Sequence, residues 1–308
     1  MPNIINKAMK IIPLAADSMG TRSVATLVLT KNLRILVDPG VSLGPSRYNL
    51  PPHELELKAY TEQWKSVVKE AKNADILIIS HYHFDHYNPF ENLDIYTDKT
   101  VFIKHPTKDI NLSQKKRAKD FLELIKDKPR KLEYADGLSF ELKGASINFS
   151  KAVFHGAKNT PLGSVVMTSV HEGSGSFVHA SDTGGPTFPE TTDWIINERP
   201  DTVFLDGLAT IFLGWREDPK LLETANKEEV RILNSKIKTV ILDHHLVRDL
   251  YYKNKIKPVI ELAKELNKKL VTSAEYLGVK PDFLEAKRRE LWNSMPSSNL
   301  KALPKNIE

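Results

Sequence analysis

The sequence predicts an α+β protein in which two β-rich halves form sheets with helices covering their outer faces. Strand pairs open the chain, apolar strands then alternate with amphipathic helices, and a second β-rich stretch follows. The 308 residues are 41% hydrophobic and 27% charged, which provides a sizeable core and excludes a disordered chain, a fibrous repeat and a small disulfide scaffold. We therefore treat residues 1–308 as a single domain that is mostly helical from about residue 251.

Apolar runs bounded by turn residues predict the elements of the first half. Residues 30–33 are typical of a hairpin turn. The segment 42–52 is rich in Pro, Gly and Ser and should form a loop, and Ser113 is the expected cap of the second helix. The expected strands lie at 25–29, 34–37, 76–79 and 101–103, and the expected helices at 53–73 and 113–126.

The second half starts with short β-rich runs and ends with helical periodicity. Asp136-Gly137 and Lys143-Gly144 mark turns between the first of these runs. The expected strands lie at 138–142, 147–149, 152–154, 164–170, 176–180, 202–205 and 239–242, and the expected helices at about 225–237, 256–269 and 282–293.

Charge and cysteine content limit the function classes. The net charge of +5 is mild, whereas nucleic-acid binders usually carry a stronger or more focused positive charge. Cysteine is absent, so disulfides, thiolate metal sites and cysteine nucleophiles are excluded, and any metal must be held by His, Asp or Glu. The first ten residues lack the apolar segment of a signal peptide, and no stretch approaches a membrane span. The sequence therefore predicts a cytoplasmic protein without a membrane partner.

The densest group of metal-binding residue types follows the expected strand 76–79. Its members lie within six residues: His81, His83, Asp85 and His86. Residues two apart in an extended segment point to the same side, so His81 and His83 should contribute to one metal-binding position. Asp85 and His86 follow as the chain turns and can reach a second metal-binding position nearby. Imidazole and carboxylate at this density suit Zn, Fe or Mn. The alternative is a polar loop whose three histidines have no function.

Three later apolar runs also end in residues of metal-binding types. They end at His155, at Asp182 and at Asp243-His244-His245. Each of these alone is more often a capping or otherwise structural polar residue. Together with the first group, they favour one site assembled from several strand ends.

The order of these residues along the chain resembles the metallo-beta-lactamase superfamily over about residues 20–250. The motifs are Asp38, His81-x-His83-x-Asp85-His86, His155, Asp182 and a late histidine. The opening at Asp17 and the closing Asp-His-His-Leu-Val-Arg-Asp at 243–249 resemble an archaeal branch of metal-dependent hydrolases within that superfamily. The resemblance implies an αββα four-layer sandwich, the metallo-beta-lactamase fold, with a two-metal site at one edge and a helical C-terminal extension.

The resemblance also implies which residues hold two divalent metal ions, zinc in the first instance and iron or manganese otherwise. His81, His83 and His155 would hold the first ion, Asp85, His86 and the late histidine the second, and Asp182 would bridge both with a water or hydroxide. Asp182 and Asp85 are accordingly the candidate catalytic residues. Asp38 would orient a ligand histidine without binding metal itself. Its alternative role is that of a turn residue before Pro39-Gly40.

The sequence leaves open which late histidine is the ligand. Adjacent strand residues face opposite ways, so we expect only one of His244 and His245 to bind metal. We favour His244 because it follows its strand after one polar residue, as is usual in the family. The other histidine is then a candidate general acid for the leaving group.

These residues predict a metal-dependent hydrolase that uses the hydroxide of a binuclear site on a small ester, lactone, thioester or phosphoester. Arg22, Arg47 and Arg248 are candidates for binding an anionic group of a small-molecule substrate, because guanidinium matches carboxylate and phosphate. The alternative for each arginine is a structural ion pair.

Two other functions stay open. A nuclease or phosphodiesterase acting on RNA or DNA would use the basic stretch 104–131, with ten Lys and Arg against four Asp and Glu. We do not favour nucleic acid as the partner, because a charged helix face is usually only solvated and no large insertion follows Asp182. A non-hydrolytic redox di-iron or metal-binding protein is the second alternative. The sequence favours no particular oligomeric state.

Overall fold

The computed structural model of the chain describes residues 9–158, 160–296 and 303–307. Residues 1–8, most of the segment for which the sequence predicts no signal peptide, lie outside the described residues. None of the helices in the described ranges is both long enough and apolar enough to cross a membrane.

The first sheet has six strands, which lie in the sheet in the order of the chain. They are β1 (Lys10–Pro13), β2 (Thr26–Leu29), β3 (Arg34–Val37), β4 (Ile76–Ile79), β5 (Thr100–Ile103) and β6 (Lys131–Tyr134). β1 to β3 are antiparallel, with the expected hairpin between β2 and β3, and β3 to β6 run parallel. Parallel neighbours need crossover connections, and two of these contain the helices α1 (Glu54–Asn73) and α2 (Leu112–Ile125).

The second sheet has seven strands, and a separate two-stranded ribbon lies beside it. The remaining strands are β7 (Ser139–Leu142), β8 (Ala145–Phe149), β9 (Val153–Phe154), β10 (Ser164–Val165), β11 (Thr168–Glu172), β12 (Gly175–His179), β13 (Thr202–Leu205), β14 (Thr239–Leu242) and β15 (Lys269–Val271). The order in the sheet is β15-β14-β13-β12-β11-β8-β7, and β9 pairs with β10 in the ribbon. β12 to β15 run parallel, whereas the other pairs are antiparallel.

The remaining helices follow the parallel strands of the second sheet. They are α3 (Pro189–Asn197), α4 (Leu221–Leu233), α5 (Tyr252–Lys255), α6 (Lys257–Glu265), α7 (Ser273–Tyr276) and α8 (Arg288–Ser294). α3, α4 and α6 pack on the outer face of the second sheet, as α1 and α2 do on the first.

Burial on both faces explains why β4 is apolar at all four positions. In β4, Leu77 and Ile79 pack with α1 and α2, whereas Ile76 and Ile78 face the second sheet. The same alternation holds in β13. The layers are therefore helix, sheet, sheet, helix, which confirms the predicted α+β class and the αββα sandwich.

Several elements differ from the prediction. Asn111 rather than Ser113 caps α2, because its side chain accepts a hydrogen bond from the backbone N–H of Gln114 at 2.7 Å. β1, β6 and β15 are edge strands that the sequence does not predict, since each is short and begins with Lys. The expected strand over 164–170 is divided between β10 and β11, and the helix expected from residue 282 begins at Arg288.

The C-terminal part packs back onto the N-terminal half. Arg288 of α8 donates hydrogen bonds to Glu56 Oε1 of α1 at 2.7 Å and to the carbonyl oxygen of Gly44 at 2.9 Å. Asn306 Nδ2 donates to the carbonyl oxygen of Phe84 at 2.7 Å. The loop 42–52 and the histidine motif are therefore held in part by residues from the other end of the chain.

Candidate metal centre

The predicted site residues meet at one edge of the two sheets, where strands end. In the first sheet, Asp38 follows β3, and Ser80-His81 follows β4. In the second sheet, Asp182 lies shortly after β12, and His244 shortly after β14. Because β3 and β4 run parallel, as do β12 and β14 on either side of β13, their carboxyl ends lie at the same edge of each sheet. The sandwich brings the two edges together.

The first group of candidate ligands comprises His81, His83, His155 and Asp182, whose ligand atoms all lie within 4.8 Å of one another. His83 Nδ1 lies 3.0 Å from His81 Nε2 and 3.1 Å from His155 Nε2. In a tetrahedral site with metal–nitrogen bonds of about 2.0–2.1 Å, two ligand nitrogens lie about 3.3 Å apart. The observed nitrogen–nitrogen separations are close to this distance. Asp182 Oδ2 completes the group at 3.2 Å from His155 Nε2.

The second group comprises Asp85, His86 and His244. His244 Nε2 lies 3.4 Å from Asp85 Oδ2. Asp182 Oδ2 lies between the two groups, 3.2 Å from His86 Nε2 and 3.5 Å from His244 Nε2. The structure therefore brings together all the residues that were predicted as ligands of the two ions.

Two atoms at the centre are buried and have no hydrogen-bond partner among the described residues: His86 Nε2 and Asp182 Oδ1. An unsatisfied buried polar atom costs about 1–3 kcal/mol, so two such atoms at one centre indicate a ligand that the protein itself does not supply. The donor set of imidazole and carboxylate is typical of Zn, Fe or Mn sites. The described residues therefore fit metal ions at this place.

Both late histidines face the centre, so the expectation that they point opposite ways is wrong. β14 ends at Leu242, and His244 has a left-handed backbone with φ 62°, so the chain turns here and strand alternation no longer applies. The two rings lie 4.3 Å apart, and His245 Nε2 is 3.6 Å from Asp182 Oδ2. His244, not His245, joins Asp85 in the second group.

Asp38 lies beside the candidate ligand His86 rather than among the candidate ligand groups. Its Oδ2 is 2.9 Å from Nδ1 of His86, and the same carboxylate accepts hydrogen bonds from the backbone N–H and the hydroxyl of Ser80, both at 2.7 Å. Such contacts fix the ring orientation and the tautomer of a histidine. Asp38 thus has the geometry of an orienting carboxylate.

Sequence reasoning missed two further carboxylates of this kind. Asp17 Oδ2 lies 2.7 Å from Nδ1 of His244, and Asp206 Oδ2 lies 2.9 Å from Nδ1 of His245. Asp206 directly follows the apolar strand β13, which is the same signal that identified the other site residues. Asp17 carries no such signal, because its contact joins residues 227 positions apart.

Burial and neighbouring charges divide the histidines into two kinds. Burial, reinforced by the surrounding imidazoles, lowers the pKa of His81 and His83 well below the usual range, so both rings are neutral and present lone pairs. Burial acts in the same direction on His86 and His244, but nearby carboxylates, Asp182 foremost, raise the pKa of His86 well above its usual range and that of His244 to about 10. The carboxylates therefore favour positive charge here, and a divalent cation can replace the protons.

A cavity of about 600 Å³ opens above the ligand groups, and its floor includes His83, His155 and Asp182. The volume is typical of small-molecule sites. No residue of the basic stretch 104–131 lines this cavity, and Lys104 is buried in an ion pair with Asp136. The stretch that motivated a nucleic-acid function therefore does not line the cavity, although Gln114 and Arg117 contact the backbone of Tyr82 in the histidine motif.

The three predicted substrate arginines all line the cavity but differ in their partners. Arg22 donates two hydrogen bonds of 2.7 Å to the carboxylate of Glu285. Arg248 Nε donates to Asp17 Oδ1 at 2.7 Å. These two arginines form the ion pairs of the structural alternative. Arg47 forms no ion pair with a carboxylate in the described part of the chain.

Comparison with known proteins places this geometry in a family. The sequence profile of the metallo-beta-lactamase superfamily matches residues 19–245. The chain belongs to the metallo-beta-lactamase superfamily. It is 43% identical over 288 residues to the UPF0282 protein of Korarchaeum cryptofilum, a match that covers 94% of this chain and 96% of that one. It is 44% identical over 287 residues to the UPF0282 protein of Sulfurisphaera tokodaii, with 92% and 93% covered.

A solved structure of the superfamily shares the fold. The metallo-beta-lactamase fold protein YhfI of Bacillus subtilis superposes with a TM-score of 0.52 at 14% sequence identity, which covers 86% of this chain and 96% of that one. These comparisons confirm the resemblance to the superfamily and to its archaeal members, and with them the predicted fold.

Proposed function

We propose that this superfamily member is a metal-dependent hydrolase of a small-molecule ester, lactone, thioester or phosphoester. The observation that carries the proposal is the convergence of buried histidines and aspartates on Asp182 at the floor of a cavity of about 600 Å³. A cavity of this size suits a small molecule better than a polymer. The proposal includes a cytoplasmic location and an anionic substrate as the partner.

Two divalent ions are part of the proposal. His81, His83 and His155 would hold one ion, Asp85, His86 and His244 would hold the other, and Asp182 would contact both. When bound, such ions supply a hydroxide nucleophile near neutral pH and stabilise the negative charge that develops on the attacked group. Zinc is our first choice, since it accepts this mixture of imidazole and carboxylate ligands.

The chain's own side chains hold this arrangement and move protons. Asp38 and Asp17 contact Nδ1 of His86 and of His244, which directs both Nε2 atoms toward the centre. Asp182 Oδ1 has no hydrogen-bond partner in the described residues, and we assign it the proton of the attacking water.

We assign His245 the role of general acid for the leaving group. It lines the cavity, and its side chain is 14% exposed, whereas that of His244 is fully buried. Burial and His244 hold the pKa of His245 well below its usual range, so the ring is neutral, whereas burial raises the pKa of Asp206, which lies 2.9 Å from Nδ1, to about 7. A protonated Asp206 can therefore pass its proton to Nδ1 as Nε2 delivers its own proton to the leaving group.

Turnover by the metal-loaded protein tests the proposal. The panel contains an aryl ester, a lactone, a thioester and a phosphodiester. We expect turnover of at least one of them, a loss of roughly 10²–10⁴-fold in Asp182→Ala, and unchanged turnover in Asp201→Ala. Asp201 is the matched control because it pairs with the exposed Lys238. A metal-loaded protein that hydrolyses none of the four would contradict the proposal and favour the non-hydrolytic alternative.

A further inference from the structure

The cavity above the metal centre has two unlike walls. One wall is the loop segment 45–49, which carries Arg47 and Tyr48. A second wall comes from the segment 208–221, with the aromatic residues Phe212 and Trp215 among its members. The cavity therefore offers a substrate both a guanidinium group and an aromatic surface.

Arg47 has unused hydrogen-bond donors. Its Nη2 makes only long contacts, at 3.5 Å to the Tyr48 hydroxyl and 3.4 Å to the carbonyl oxygen of Arg248. Its Nε is buried and has no hydrogen-bond partner among the described residues. A guanidinium group binds an oxyanion through two parallel hydrogen bonds, and Arg47 has the donors to do so.

The loop that carries Arg47 is held in place before any ligand arrives. Arg47 and Leu50 exchange two backbone hydrogen bonds of 3.0 Å. The buried Arg288 donates to the carbonyl oxygens of Leu50 and Gly44. Binding at this wall therefore needs little ordering of the loop, which favours affinity.

Trp215 presents an aromatic surface on the second wall. It is 69% exposed, which is unusual for the largest apolar side chain. The Arg216 guanidinium lies 4.2 Å from its ring centroid, and Phe212 packs 5.8 Å away. Arg216 and Glu217 both line this wall with opposite charges, so the wall carries no net charge, whereas Arg47 makes the wall formed by 45–49 positive.

We propose that the cavity selects a substrate with an oxyanionic group, carboxylate or phosphate, joined to an aromatic body. Arg47 binds the oxyanion, Trp215 stacks on the aromatic group, and the bond to be hydrolysed lies between them over Asp182. This inference rests on the proposed hydrolase function for the position of that bond, but binding itself needs no turnover.

Isothermal titration calorimetry of probe binding tests this pocket. The probes are 4-nitrobenzoate and 4-nitrophenylphosphonate, with the neutral 4-nitrobenzamide as reference, titrated into metal-loaded and metal-free protein. We expect at least one anionic probe to bind at least tenfold more tightly than the amide. Arg47→Gln should remove that preference. Trp215→Phe should lower the affinity of every probe that binds to the wild type.

Arg289→Gln is the matched control. Arg289 stacks on Tyr48 at 4.5 Å, as Arg47 does at 4.6 Å, but it does not line the cavity. Equal affinity for charged and neutral probes, or anion binding that depends on metal but not on Arg47, would overturn the inference. Binding as expected without hydrolysis of any panel substrate would count against the hydrolase alone, whereas hydrolysis without an effect of Arg47→Gln would count against the pocket alone.

Discussion

Replacing Arg288 by Met is expected to lower the free energy of unfolding by about 3–5 kcal/mol, because it breaks a buried ion pair. The side chains of Arg288 and Glu56 are both 0% exposed. The guanidinium donates to the two carboxylate oxygens at 2.8 and 2.7 Å, and to the carbonyl oxygens of Leu50 and Gly44 at 3.1 and 2.9 Å. The substitution keeps the apolar stem but leaves a buried carboxylate without a cation and two carbonyl groups without a donor.

Urea-induced unfolding at pH 7 measures this loss. Arg289→Met, at an exposed neighbour, is the control, and combining Glu56→Met with Arg288→Met should recover much of the stability. Burial raises the pKa of Glu56 even beside Arg288, so the loss in the single variant should shrink as the pH falls and the carboxyl group takes up a proton. A loss below about 1 kcal/mol, the range of exposed ion pairs, would show that the pair of Arg288 and Glu56 does not stabilise the fold as a buried ion pair does.

Three further predictions concern the site and its surroundings. Asp38→Asn should weaken metal binding by about 10–100-fold in competition with a chelator, because it alters the partner of His86 Nδ1, and an unchanged affinity would contradict that role. Gly184→Ala should lower the free energy of unfolding by more than about 1 kcal/mol, since φ is 73° and the new Cβ would lie 2.5 Å from the Gly156 Cα; a neutral effect in urea unfolding would count against this close contact. Burial alone would raise the pKa of Glu198, but hydrogen bonds from its neighbours lower it to about 2 from 4.5. Glu198 therefore stabilises the fold above pH 4.5 and loses this effect as the pH falls through about 2, by at most ~2 kcal/mol after solvent screening. The difference in unfolding free energy between wild type and Glu198→Gln should shrink over that interval, and a constant difference would argue against it.

Local patterns explain why much of the fold and the site could be predicted. β4 is apolar at all four positions because helices cover one face and the second sheet the other. A candidate metal ligand shortly after an apolar run stands out, which is how His81 and Asp182 were found. The same rule applied to β13 would have found Asp206.

Contacts between distant parts of the chain explain what could not be predicted. Asp17 reaches His244 across 227 positions, and Arg288 reaches Glu56 across 232. Neither pair leaves a local pattern in the sequence. The orientation of His245 was also missed, because the left-handed backbone at His244 changes the direction of the side chains after β14.

We expect the two groups of histidines and aspartates to hold divalent metal ions. Elemental analysis of the purified protein, beside Asp182→Ala and the control Asp201→Ala, measures this metal content. We predict about two ions of zinc, iron or manganese per chain in the wild type and in the control, and fewer in Asp182→Ala. A wild-type protein that binds no metal after reconstitution at neutral pH would show that these residues do not form a metal centre.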